Sequence, residues 1–139
     1  MSMEICVFSD LRPDSLSNWQ KALDAEGFAL RLSGDQPIAG ISGFLSASLQ
    51  GKQTGVECYY VDPRVMIDTY VDIHFGREWK YGLVFVWGGD FAEMQTAWMA
   101  AIAYARATSG IIFDPQASRL LTASQALEVV NDNERVPRQ

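Results

Sequence analysis

The sequence predicts an α+β fold: a mostly antiparallel sheet of about five to seven strands carrying two long helices and a short C-terminal helix. Three observations lead there. Strand-like runs follow one another through the middle of the chain without a helix between them, a pattern of α+β rather than alternating α/β proteins. Tyr81 to Pro115 reads strand, turn, helix, strand. A second helical stretch with one apolar face follows the first strand-like run near the N-terminus.

In chain order, Glu4 to Phe8 alternates Ile5 and Val7 against Cys6 and Phe8, apolar on both sides, as a central strand covered on both faces would be. Ser9 to Asp14 is a polar turn, and Asp14 or Ser15 can cap a helix in which Leu16, Trp19 and Leu23 share a face. Gly27 ends it, Phe28 to Leu32 is a short strand, and Ser33, Gly34, Asp35, Gln36 and Pro37 form a loop. Gly43 to Leu49 alternates as a half-exposed strand, Gly51 to Gly55 (GKQTG) reads as a hairpin connection, and Val56 to Val61 returns. Asp62-Pro63 stops that strand. From Val65 to Phe75 the alternation is the cleanest in the chain and predicts another strand, with Met66, Asp68, Tyr70, Asp72 and His74 on one side.

Tyr81 to Trp87 is apolar, β-branched and aromatic, the composition of a buried strand. After Gly88 and Gly89, Asp90 with Glu93 forms an Asp variant of a capping box, opening an alanine-rich helix with Phe91, Met94, Trp98 and Ala105 on one face. Gly110 is placed to close it in a left-handed turn. Ile111 to Phe113 is a short strand closed by Asp114-Pro115, and Thr122 with Gln125 caps a final helix. With no linker or repeat, residues 1–130 form one α+β domain and residues 131–139 a polar tail.

The chain has 139 residues, 48% hydrophobic and 20% charged, enough to bury a core without metal or disulfide. Seventeen acids against eleven Lys and Arg give a net charge of −6, the wrong sign for gripping phosphate backbones, so no nucleic-acid partner is expected. The same charge steers a basic protein partner inward. Cys6 and Cys58 lack metal-ligand or CxxC spacing and read as buried free thiols of a reducing compartment. No leader is evident in Met1 to Asp10, no apolar run reaches membrane-spanning length, and the expected location is the cytoplasm.

Gly88-Gly89-Asp90 lacks the Lys-Ser/Thr of a phosphate loop and puts a carboxylate where a phosphate would sit, so it reads as a tight turn and cap. The Trp residues 19, 79, 87 and 98 read as packing residues. The candidate working surface is the polar face of the strand from Met66 to His74, extended by its neighbour: Glu57, Tyr59, Asp68, Tyr70, Asp72 and His74, carboxylates interleaved with aromatics suited to a basic protein. An alternative places Asp72, His74 and Glu57 in a small metal-dependent or acid–base hydrolase, although His74 is the lone histidine and no hydrolase motif accompanies it. No cofactor is expected. An exposed strand edge or aromatic patch would allow a homodimer.

The alanine-rich helix running into TSGIIFDPQASRLLTASQALEVV, preceded by Trp87, Gly88, Gly89 and Asp90, resembles bacterial immunity proteins of polymorphic toxin systems. More specifically, it is similar to the immunity family paired with restriction-endonuclease-like toxins, such as those delivered by type VI secretion. The resemblance covers the C-terminal half and the strand meander in outline. It implies a small α+β protein without enzymatic activity that binds a co-produced toxin in the cytoplasm and blocks its active site or folding. No toxin-contact residue is carried over from it.

Overall fold

The computed structural model describes residues 3–34 and 37–133. Asp35 and Gln36 of the expected loop, and residues 134–139 of the expected tail, lie outside them. Along the chain come β1 (Met3–Ser9), α1 (Leu16–Ala25), β2 (Leu30–Leu32), a 3-10 turn (Ile38–Gly40), β3 (Ser42–Leu49), β4 (Lys52–Val61), α2 (Pro63–Thr69), β5 (Tyr81–Trp87), α3 (Phe91–Thr108), β6 (Ile111–Asp114), β7 (Arg119–Leu121) and α4 (Ala123–Asn133). The seven strands form one sheet in the order β2-β3-β4-β5-β1-β6-β7, and each neighbouring pair is antiparallel. The fold is α+β, as the sequence predicts. β5 and β6 run parallel to each other with β1 between them.

The alternation in β1 sorts its side chains onto two cores. Ile5 and Val7 join the larger one, with Leu83, Phe85 and Ile112 of the sheet and with α1, α3 and α4 above them. Cys6 and Phe8 face the smaller one, with Val84, Phe113, Met66 and Phe75, covered by α2 and the chain that follows it. Phe8, Phe75 and Phe113 meet there, the closest ring pairs being edge-on at 5.2 and 5.3 Å. Such aromatic pairs add about 0.5–1.5 kcal/mol each beyond the area they bury.

α3 is buried along most of its length, and Ala97, Ala100, Ala101, Ala103 and Ala105 let its neighbours come close. Trp19 of α1 is fully buried against it and donates its Nε1–H to the Ala100 carbonyl at 3.0 Å. The same indole packs edge-on to Tyr104 and Phe85. Ser15 caps α1 and Asp90 caps α3, each accepting a backbone N–H three residues on. Thr122 and Gln125 bond reciprocally at the start of α4.

Four expectations are corrected. The segment Val65 to Phe75 is not a strand: Asp62 caps α2 by accepting from the Arg64 N–H, Pro63 stands at the first helical position, and a loop follows from Tyr70. Met66 and Ile67 within α2 and Tyr70 at its C-cap, one and four positions on from Met66, turn to the smaller core, so the helical period prevailed over the twofold one. The β3–β4 hairpin turns at Gln50 and Gly51, both at positive φ, whereas Lys52 to Gly55 belong to β4 rather than to the connection. Ser109, not Gly110, takes the left-handed position after α3, at φ 54°. Finally, α4 continues through Asn133, past the expected tail boundary at Asn131.

Gly110 is required for a different reason: a Cβ there would lie 2.5 Å from the backbone oxygen of Phe8 in the central strand. Gly110→Ala should lose about 1–3 kcal/mol of stability, the usual cost of forcing extra volume into a packed site. Gly88→Ala, where a Cβ meets open space, is the control. Urea unfolding measures both, and equal midpoints would mean that the junction of α3 with β1 yields freely.

Candidate functional site: an uncovered row across the sheet

The smaller core covers only part of its side of the sheet. Two cross-strand rows are covered there, with Gly82 and Phe8 buried between half-buried Val61 and Ile111, and Val84, Cys6 and Phe113 buried beside the exposed Tyr59. The next row, Phe44 of β3, Glu57 of β4, Val86 of β5 and Glu4 of β1, lies beyond α2 and is open to solvent to varying degrees. Register fixes its composition, because residues paired across neighbouring strands project from the same side.

Phe44 is 55% exposed, a large apolar ring open to solvent on a face whose other residues on β3 are serines. Its ring lies across Gly55, where a Cβ would come within 2.3 Å of the ring's Cζ, so the glycine supplies the floor on which the ring rests. Glu57 stands directly across from Phe44, and Tyr59, two residues on, shares its side of β4. Tyr70, at the end of α2, packs its ring edge-on against Phe113 at 4.8 Å and borders the row from the covered side.

At one end the row opens into a cleft of about 300 Å³ lined by Phe44, Glu57, Val86, Trp87, Gly88 and Glu93. Strand and helix meet here through Gly88-Gly89-Asp90, the turn that the sequence marks as a joint, and the capping of α3 fixes where Glu93 emerges. Among the described residues, no Lys or Arg forms an ion pair with Glu4, Glu57 or Glu93. Two phenols register this negative field. Tyr59 and Tyr70 are both pushed above the ordinary tyrosine range, first by burial and then by the Glu4 carboxylate, with Cys6 and Glu57 adding at Tyr59.

Of the six residues singled out from sequence, the structure keeps Glu57 and Tyr59 together on β4 and brings Tyr70 to the edge of the same face. Asp68 is exposed on α2, while Asp72 and His74 are exposed in the loop after it. These three share no strand face, because the strand that would align them is a helix and a loop. Among the described residues, no three His, Cys, Asp or Glu side chains form a group that could hold a metal ion. Glu4, Phe44, Val86 and Glu93 were not evident as site residues. The one signal for Phe44 is a lone aromatic on the serine side of β3, in step with Ser46 and Ser48.

Both thiols are enclosed, and a second cleft holds engaged charges. Cys6 and Cys58 are buried free thiols in different cores, and burial pushes the Cys58 thiol up to about 12, far from a reactive thiolate. Arg12 lies over the Tyr81 ring at 4.4 Å in a larger surface cleft, where Asp10 accepts from Arg77 and from the Lys80 backbone N–H. Among the described residues no helix is long and apolar enough to cross a membrane.

The chain is thus an α+β protein with a seven-stranded antiparallel sheet and an acidic, aromatic row on one face. Comparison with protein-family models, curated proteins and solved structures finds no match to it.

Removing the Glu4 charge should make both phenols easier to ionise, since a nearby carboxylate disfavours phenolate. In Glu4→Gln, the ultraviolet titration of Tyr59 and Tyr70, isolated with Tyr→Phe variants, should move to lower pH. Unchanged titration curves would remove Glu4 from the site.

Proposed function

We propose that this chain is an immunity protein that binds and neutralises a cognate secreted, nuclease-like toxin by direct contact, in the cytoplasm, without catalysing a reaction of its own. The observation that carries the reading is the open row Phe44–Glu57–Val86–Glu4, a sheet face that leaves the Phe44 ring and Glu57 exposed and pairs no Lys or Arg with Glu57 or the half-buried Glu4 among the described residues. Presented to a basic protein, such a row supplies both contact area and charge pairing. A nuclease must hold a polyanion and therefore presents a basic cleft, complementary to a chain of net charge −6. The resemblance of the C-terminal half to immunity proteins supports the toxin as that partner. The hydrolase reading, built on Asp72, His74 and Glu57, gains no support from a helix and loop that separate the first two from a common strand face.

The test is co-expression with the secreted toxin encoded beside it. We expect protected growth, a co-purifying complex, and an association rate that falls by about tenfold or more between low and physiological salt, the signature of electrostatic steering. Charge reversal at Glu57 should slow association without unfolding the protein, since the side chain is exposed. Absence of both protection and a complex would refute the proposal.

A further inference from the structure

We propose that the cleft between Phe44 and Glu93 is the anchor point of the interface, and that it receives an arginine side chain of the basic protein partner, the guanidinium seated on the Phe44 ring between Glu57 and Glu93. This rests on the protein-binding reading above and names the chemistry of the contact.

The lining selects the occupant. Glu57 comes from the exposed side of β4 and Glu93 from the first turn of α3, so carboxylates from two separate elements border one cleft. A planar group with several donors can bond both at once, which a single ammonium does less well. The exposed face of Phe44 offers a surface on which a guanidinium stacks favourably. Val86 gives apolar wall for the three-carbon stem. Arginine is accordingly the residue that uses every component of the cleft.

Other occupants fit less well. A second copy docked about a twofold axis would set Glu4, Glu57 and Glu93 against the same residues of its mate, and like charges face to face oppose association. A nucleic acid has the wrong sign. A hard cation such as calcium takes six to eight oxygen ligands, and no metal-holding group is found here among the described residues.

The probe is N-acetyl-L-arginine amide, titrated into the whole protein and followed by the backbone amides of Phe44, Glu57 and Gly88, with the lysine analogue and the uncharged citrulline analogue alongside. We expect saturable shifts with arginine, binding weaker by about threefold or more for lysine, and none for citrulline. Glu57→Gln with Glu93→Gln should abolish the response. In the toxin complex, Phe44→Ala and Glu57→Gln should each raise Kd by about tenfold or more, as anchor residues do. Circular dichroism confirms that each variant is folded, and the exposed Glu57→Gln keeps the test open if Phe44→Ala is not. Arginine binding without any toxin complex would leave the cleft standing and end the toxin reading. A complex indifferent to both substitutions, or equal responses to arginine and citrulline, would overturn the anchor while leaving the toxin reading intact.

Discussion

The structure depends on burying an 18-residue helix on nearly every side. α3 rests on the sheet, takes α1 along one flank and α4 along the other, and so has little exposed surface on which to place polar side chains. Small residues solve the spacing problem. The polar groups inside it are each given a partner: Thr96 and Thr108 bond back to carbonyls four residues earlier, and Tyr104 meets the Tyr60 hydroxyl at 2.8 Å. Trp19 brings its own donor to the Ala100 carbonyl, which ties α1 to the middle of α3 through a bond shielded from water. The ion pair from Arg106 to Glu26 at 2.7 Å fixes the far end of the same helix pair at the surface.

Because that helix layer commits one side of the sheet entirely, the opposite side is where the molecule differs from a fully closed sandwich. α2 is seven residues long and, with the chain after it, covers only the rows nearest β6. The uncovered row follows from this shortage of covering structure, and its composition follows from register. The carboxylates there are spread over β1, β4 and α3, elements held by the main core, so their spacing is set by the most rigid part of the protein.

The fold class was legible because the longest elements carry mutually consistent signals: β1 is apolar on both sides, and α3 has alanines, a cap and a stop. The error at Val65 to Phe75 arose where two periods coexist. Val65, Ile67, Val71 and Ile73 alternate, yet Asp62-Pro63 is a helix opening in its own right, and Met66, Ile67 and Tyr70 mark the inward face of a short helix and its exit. Strand alternation in a segment that opens with Asp-Pro is therefore ambiguous until tertiary contacts decide it. The candidate site was legible only within one strand. Glu57 and Tyr59 lie two residues apart and must share a side, whereas their grouping with Glu4, Phe44 and Glu93 depends on strand order and on where α3 begins, neither of which local pattern encodes. Gly110 shows the same limit, since the oxygen that excludes a side chain there belongs to a strand about a hundred residues earlier.

The seat of Phe44 on Gly55 has a consequence for the energetics of recognition. An exposed aromatic side chain normally samples several rotamers and loses that freedom when a partner arrives, at about 0.5–1.5 kcal/mol for each side chain immobilised. Here the missing side chain of Gly55 gives the ring a fitted resting place before any partner is present. Much of the ordering entropy is therefore already spent during folding, and the surface meets its partner in the shape it will keep.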